Sequence, residues 1–202
     1  MPVISWKQPG MILSDHQIES AIQSGSIIIT PEVHPSQFDS SSLNLRVGDD
    51  FRVWKDSLSA PGTGHSIDLD SINLADIIDL TDPLEPIKGI VTIPPNAFVL
   101  VRTLEHVTLP LRSKLAARVE GRSKQARLGM TAHITAPTIH AGFAGKITLE
   151  IKNFGPFGLR IVPNESQLCQ LIFEKIGAVP KRGGSKAFSH QDTPLGSSRK
   201  SR

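Results

Sequence analysis

Hydrophobic residues recur along this chain with two different periods, and the first period predicts one short helix near the N-terminus. In residues 13–25, LSDHQIESAIQSG, the apolar residues that begin at Ile18 form a stripe at helical spacing. Ser14 and Gln17 have the spacing of a capping box, in which each side chain bonds to the backbone of the other residue. Gly25 is suited to terminate the helix because it adopts a left-handed conformation easily.

From residue 26 onward the pattern predicts β-strands. Short runs rich in β-branched or apolar residues are separated by Gly, Pro and Asn. Many short strands of this kind favour an all-β sandwich, jelly roll or barrel, and strands and helices do not alternate as in a doubly wound nucleotide fold. The predicted strands are SIIIT (26–30), SLNLRVG (42–48), NAFVLVRT (96–103), KLAARVE (114–120), KITLEIKN (146–153), LRIV (159–162) and QLCQLIFE (167–174).

Two segments depart from the strand pattern. Residues 56–89 are predicted to be a solvated loop, because their second half carries six acidic residues and one lysine; the spacing of the aspartates does not match a calcium-binding loop. Residues 181–202 are polar and contain six of the 22 basic residues of the chain. We therefore predict one domain over residues 1–180, with its core beginning near residue 11, followed by a flexible basic C-terminal arm.

Composition narrows the classes of function. Without the arm, the chain has 16 basic and 18 acidic residues, so the net charge of +3 comes from the tail. The folded part is not basic, tyrosine is absent and aromatic residues make up 5%, which argues against a nucleic-acid partner. We also expect no membrane segment, no secretory signal and a cytoplasmic location. Cys169 cannot form an internal disulfide, and its apolar run predicts an inert core thiol.

One segment combines cations with a turn. In residues 117–129, ARVEGRSKQARLG, a strand is predicted to end at Glu120, and Ser123 could cap a following turn of helix. Arg122, Lys124 and Arg127 crowd the same point, which makes the segment a candidate site for phosphate groups. The alternative is a basic loop that pairs with acids elsewhere. The segment lacks the glycine spacing of a P-loop.

Glu150 is the other candidate for chemistry. It lies on the polar face of the strand at residues 146–153, and by periodicity alone it could be an ordinary solvent-facing charge beside Lys152. His133 and His140 are candidate metal ligands, but no second ligand stands at a spacing typical of zinc. Both fit better as hydrogen-bonded or solvated histidines, so we predict no protein-bound metal.

Several of these segments resemble the dCTP deaminase family of the dUTPase-like superfamily. The resemblance implies a distorted jelly-roll, β-barrel-like subunit that forms a homotrimer with active sites between subunits. It also implies hydrolysis of dCTP to dUTP and ammonia without zinc, and the His-x-Glu and Pro-Cys-x-x-Cys ligands of zinc deaminases are indeed missing here. The similar segments are MILSDHQIESAIQSGSIIITP (11–31), SSLNLRVG (41–48), GRSKQARLG (121–129), HITAPTIHAGFAGKITLEIKNFG (133–155) and VPNESQLCQLIFEKI (162–176).

The resemblance also implies roles for residues in the reaction. Glu150 corresponds to the family's carboxylate that carries protons between water and the cytosine ring. Ser123 and Arg127 would orient the water and this glutamate. The backbone carbonyl of Ala136 would hold the water or the amino group of the base.

The implied binding residues fall into two groups. The triphosphate, which brings Mg²⁺ with it, would contact the basic turn and the arm through Arg122, Ser123, Lys124, Lys186 and Gln191. The sugar and base would contact Thr135, Ile139, His140 and Gln170. Possible partners are thus dCTP and dUTP, with dTTP as a possible inhibitor.

Three residues depart from the family pattern. His140 stands where an aspartate is usual, Lys124 replaces a small hydroxyl residue, and Phe188 stands where tyrosine is common. The corresponding acid of dUTPases helps to activate the hydrolytic water, so His140 argues against cleavage of dUTP. Two alternatives stay open: a bifunctional enzyme that also cleaves dUTP to dUMP, and a non-catalytic nucleotide-binding regulator on the same scaffold.

Overall fold

The computed structural model describes residues 11–59, 64, 66–72, 78–182 and 193–195. Helix α1 spans Asp15–Gln23 and begins as the sequence predicts. The Ser14 hydroxyl accepts a hydrogen bond from the Gln17 N–H, and the Gln17 side chain accepts one from the Ser14 N–H at 3.0 Å. Gly25 follows the helix with φ of +72°, so the predicted capping box and glycine stop are both confirmed.

Twelve β-strands are the main regular structure of the described residues. Every strand that the period-two pattern predicts is present, although the strand predicted over 96–103 extends to Thr108. The second helix, α2, spans Ser123–Arg127. The strands are β1 (Ile28–Thr30), β2 (Phe38–Asp39), β3 (Ser42–Arg46), β4 (Arg52–Trp54), β5 (Thr81–Pro83), β6 (Val91–Ile93), β7 (Phe98–Thr108), β8 (Leu115–Gly121), β9 (Thr138–Ile139), β10 (Ala144–Lys152), β11 (Leu159–Ile161) and β12 (Gln167–Lys175).

The strands form two five-stranded sheets and one small ribbon, all of them antiparallel. In the first sheet, β10 lies along one edge of β7, and β1 and β4 share the other edge, with β5 beyond β4. The second sheet has the order β2-β3-β12-β8-β9, and β6 pairs with β11. These sheets keep open edges and do not close into a barrel in the described part. The expected distorted all-β fold is confirmed.

One hydrophobic core joins the two large sheets. On β10 the residues at alternate positions are buried, including Ile147, Leu149 and Ile151, while the intervening polar residues lie on the opposite face. Cys169 on β12 is fully buried in this core. Burial raises the pKa of its thiol to about 12, and the negative charge of Glu105 acts in the same direction. The thiol is therefore protonated at neutral pH, which confirms the inert cysteine that the sequence predicts.

A polar network inside the core is not apparent in the sequence pattern. Glu105 on β7 has no exposed surface, yet its carboxylate accepts hydrogen bonds from Arg46 Nε at 2.8 Å and from Gln37 Nε2 at 3.0 Å. The backbone N–H of Arg46 also donates to it at 2.9 Å. These three hydrogen bonds, one of them from the positively charged Arg46 side chain, compensate for the loss of water around the buried charge, and they tie β3 to β7.

Residues 56–89 are not the simple loop that the sequence predicts. They contain a 3₁₀ turn at Asp56–Ser59 and strand β5, which pairs with β4. Ile72, Ile78 and Leu80 pack into a small second apolar cluster. The prediction of a solvated loop did not account for these apolar residues between the acids. The described acids from Asp68 to Glu85 are exposed, as a solvated segment requires. No helix among the described residues is long and apolar enough to span a membrane.

Candidate functional site

Glu150 lies on the outward face of β10 and is half-buried. Its carboxylate oxygen Oε2 accepts a hydrogen bond from the backbone N–H of Ile134 at 3.1 Å. Across the sheet it stands opposite Leu100 of β7. A backbone donor from a separate segment of the chain therefore fixes the orientation of the Glu150 carboxylate.

Lys152, the neighbour of Glu150 on the same face of β10, makes its contacts elsewhere. The Lys152 ammonium donates to the backbone carbonyl of Asn96 and lies 5.9 Å from the ring centre of Phe154. None of the ion pairs between described residues involves Glu150. This carboxylate remains partly open to solvent and available to a ligand.

The basic turn is confirmed, but its predicted cap is wrong. Strand β8 continues through Gly121, which pairs with Cys169, so helix α2 begins at Ser123 itself and Arg122 occupies the N-cap position without a side-chain cap. With only five residues, α2 has a small dipole, and the cations must supply most of the attraction for an anion. Ser123, Lys124 and Arg127 are exposed.

Two glutamines hold this turn in place. Arg122 Nη1 donates to the side-chain oxygen of Gln167 at 3.1 Å, and Gln125 Nε2 donates to the Gln167 carbonyl at 3.1 Å. Gln170 Nε2 donates to the Gly121 carbonyl at 3.0 Å, while its oxygen accepts from the Ser42 hydroxyl at 2.7 Å. Both ends of the Gln170 amide thus have protein partners, and its predicted contact with the base stays a prediction.

A glycine contact joins the basic turn to the strand that carries Glu150. Gly129 has φ of +88°, and a Cβ on it would collide with the backbone of Gly155, while a Cβ on Gly155 would collide with the Leu128 carbonyl. The Phe154 N–H donates to the Gly129 carbonyl at 2.7 Å. The end of α2 is therefore packed directly against the end of β10, and this contact joins the two candidate segments.

Three of the predicted sugar and base residues lie along the chain between the basic turn and β10. Thr135 and Ala136 are exposed, and His140 is exposed at the start of a turn that Gly142 completes with φ of +88°. The Ile139 side chain is 7% exposed and belongs to the core, so a ligand could reach only its backbone.

His133 is half-buried. Its ring atom Nδ1 is buried and has no hydrogen-bond partner among the described residues. In the same part of the chain, no three His, Cys, Asp or Glu side chains converge on a common point.

The C-terminal segment returns to the polar face of β10. The Thr148 hydroxyl donates to the Pro194 carbonyl at 3.1 Å, and Leu195 is 6% exposed against Leu100, the residue opposite Glu150. The cluster around Leu195 also contains Trp54, Phe98, Ile72, Ile78 and Leu80. Lys186 and Gln191, the predicted phosphate contacts of the arm, lie outside the described residues.

Sequence reasoning missed the residues that hold this site. Ile134 acts through a backbone N–H, which carries no sequence signal. Asn153 is fully buried, and its amide bonds to the carbonyls of Ile93 and Phe157 and to the N–H of Gly155. An asparagine at the end of a predicted strand and two residues before a glycine is a weak signal of such a turn.

Fold and site together define an antiparallel β protein in which a partly open carboxylate and a cation-rich turn lie on two segments joined by close backbone packing. The chain belongs to the dCTP deaminase-like family, whose sequence profile matches residues 12–176. A relative from Methanobrevibacter smithii named "dCTP deaminase, dUMP-forming" is 38% identical over 81% of this chain and 79% of its own length. Another from Shewanella sp. ANA-3, named "dCTP deaminase", is 35% identical over 90% of this chain and 95% of its own.

A solved structure supports the same fold. The 2'-deoxycytidine 5'-triphosphate deaminase from Agrobacterium tumefaciens superposes with a TM-score of 0.62 over 84% of this chain, at 20% sequence identity. This chain spans about half of that protein, 49% of its length. At this identity the likeness concerns the fold alone.

Proposed function

We propose that this protein is a dCTP deaminase that hydrolyses dCTP to dUTP and ammonia, with Glu150 as its general acid and base. The observation that carries the proposal is the close packing between the basic turn and the strand of Glu150, in a chain 35% identical to a relative named dCTP deaminase over 90% of its length. A carboxylate and a phosphate-binding turn are the two parts that such a reaction needs.

The chemistry assigns one task to each residue. Water adds to C4 of cytosine while N3 gains a proton, and the C4–N bond then breaks so that the amino group leaves as ammonia. Glu150 takes one proton from the attacking water and gives it to N3, and it then takes the second proton from the new C4 hydroxyl and gives it to the leaving nitrogen, so that C4 ends as a carbonyl. Ser123 and Arg127 orient the water and the carboxylate, and the Ala136 carbonyl accepts a hydrogen bond from the water or the amino group.

The exposed cations suit the triphosphate. Arg122, Ser123 and Lys124 would contact its oxygens, and charge-assisted hydrogen bonds of this kind are about twice as strong as neutral ones. Mg²⁺ would be held by the phosphate oxygens and offset their charge. The deoxycytidine would lie along the exposed segment from Thr135 to His140. We place the enzyme in the cytoplasm, where its nucleotides are.

The direct test is product analysis with dCTP, CTP, dCMP and dUTP. We expect ammonia from dCTP and the accumulation of dUTP. The same assay with added dTTP tests whether this nucleotide inhibits. Tight nucleotide binding without turnover of any pyrimidine triphosphate would instead support a non-catalytic regulator.

One observation favours a second product. The relative from Methanosphaera stadtmanae is also named dUMP-forming, at 36% identity over 90% of this chain. Against this, His140 stands where the resemblance expects the aspartate that activates the second water. Pyrophosphate released in step with ammonia would assign the bifunctional reaction, and its absence would assign the dUTP-forming one.

We further propose that the subunits form a homotrimer with sites between them. In the single chain Ser123, Lys124 and Arg127 are exposed. Beside them, Phe154 is 65% exposed and Leu128 is 45% exposed, an apolar surface that an adjacent subunit could cover.

Sedimentation of the purified protein should give a mass three times that of the 21.9 kDa chain. Dilution should reduce the activity and the mass together, because each site needs two subunits. A fully active species with the mass of one chain would contradict the proposal.

The arm of residues 181–202 would close over the nucleotide. Its segment at Pro194 and Leu195 already lies beside Thr148 and Leu100, on the face that carries Glu150. An arm anchored there could bring the basic residues before it to the triphosphate and exclude water from the base.

A further inference from the structure

Thr131 makes an unusual set of contacts with the strand that carries Glu150. Its backbone N–H donates to the Lys152 carbonyl at 3.0 Å, and its hydroxyl oxygen accepts from the Lys152 N–H at 3.0 Å. The same hydroxyl donates to the carbonyl of Glu150 at 3.3 Å. One residue therefore bonds to three backbone groups, the carbonyl of Glu150 itself and both backbone groups of Lys152.

These groups lie on the edge of β10 that faces away from β7. A neighbouring strand would normally supply their partners, and here the Thr131 side chain replaces part of that strand. Three residues later, Ile134 donates its N–H to the Glu150 carboxylate at 3.1 Å. The segment from Thr131 to Ile134 thus holds both the backbone and the carboxylate of Glu150.

We propose that Thr131 is a positioning residue for Glu150, and that its hydroxyl keeps this carboxylate aligned for proton transfer. The inference rests on the proposed role of Glu150. Thr131 also lies one residue after the bridge between Met130 and Asn153, where the end of α2 meets the end of β10. Its hydroxyl is therefore placed to maintain the distance between the proton carrier and the basic turn.

The test is Thr131→Val, which preserves the shape of the side chain and removes the hydroxyl. We expect kcat for dCTP to fall about tenfold to a hundredfold, because small displacements of a catalytic group have effects of this size. KM should stay near the original value, since the phosphate contacts come from other residues. Thr131→Ser should recover most of the kcat.

The matched control is Thr92→Val, the same change at an exposed position on β6, and its kcat should be unchanged. If Thr131→Val does not fold, Thr131→Ser and Thr131→Ala provide the comparison, since they differ by the hydroxyl alone. A kcat equal in these two variants, or unaltered in Thr131→Val, would overturn the inference. Ammonia release by Glu150→Gln at the original rate would instead contradict the proposed function.

Discussion

Replacing Glu150 with glutamine should abolish ammonia release from dCTP while leaving the protein folded and able to bind the nucleotide. Glutamine has the same size, and its side-chain oxygen can still accept the Ile134 N–H that now donates to Glu150 at 3.1 Å. It cannot take a proton from water. General acid–base catalysis contributes about 10²- to 10⁴-fold, so we expect a loss of about a thousandfold in kcat.

A binding measurement and a control variant show whether Glu150→Gln changes the chemical step alone. Isothermal titration should give similar affinities for dCTP in the original protein and in Glu150→Gln, which separates binding from chemistry. Glu165→Gln, which changes an exposed acid in a surface turn, is the matched control and should keep full activity. Undiminished turnover in Glu150→Gln would show that another group carries the protons.

Replacing Leu195 with serine should raise KM for dCTP about tenfold to a hundredfold. Leu195 is 6% exposed, and burial of a leucine contributes about 1.5–3 kcal/mol. Each 1.4 kcal/mol corresponds to a tenfold change in an equilibrium constant. If nucleotide binding requires the docked arm, the lost docking energy appears in KM, which initial-rate measurements determine.

Leu69→Ser is the control for this change, because Leu69 belongs to the acidic segment whose apolar residues cluster with Leu195 but is itself 85% exposed. Its KM should match that of the original protein. The thermal unfolding temperature should hardly change in Leu195→Ser, since the residue lies outside the main core. An unchanged KM in Leu195→Ser would mean that the docked segment has no part in nucleotide binding.

Local features of this protein could be predicted because their causes are local. Ser14 and Gln17 form the capping box that their spacing predicts, since a cap depends on four consecutive residues. The alternation around Glu150 correctly predicts which residues of β10 face the core, because successive side chains of a strand point in opposite directions. The same reasoning correctly predicts a buried Cys169.

The start of α2 could not be predicted in the same way. Ser123 has the properties of a helix cap, but β8 extends through Gly121, which pairs with Cys169, and α2 begins at Ser123 with Arg122 at the N-cap, one residue earlier than a Ser123 cap predicts. Similarly, the sequence does not show why the acidic segment contains apolar residues. In the structure Ile72 and Leu80 pack into one cluster with Leu195, which lies more than a hundred residues later in the chain. Both features depend on contacts between distant residues.

The sequence by itself determined the all-β class, the helix and its cap, the polar face of β10 and the cluster of cations in the basic turn. Each of these follows from the spacing of residue types within about ten positions. Only the tertiary structure decided what each candidate group contacts. It gave Glu150 a backbone donor from Ile134, joined α2 to β10 through Gly129 and Gly155, and buried Glu105 with Arg46. Hydrogen bonds and close packing between segments distant in the chain follow no local periodicity, so only the tertiary structure shows them.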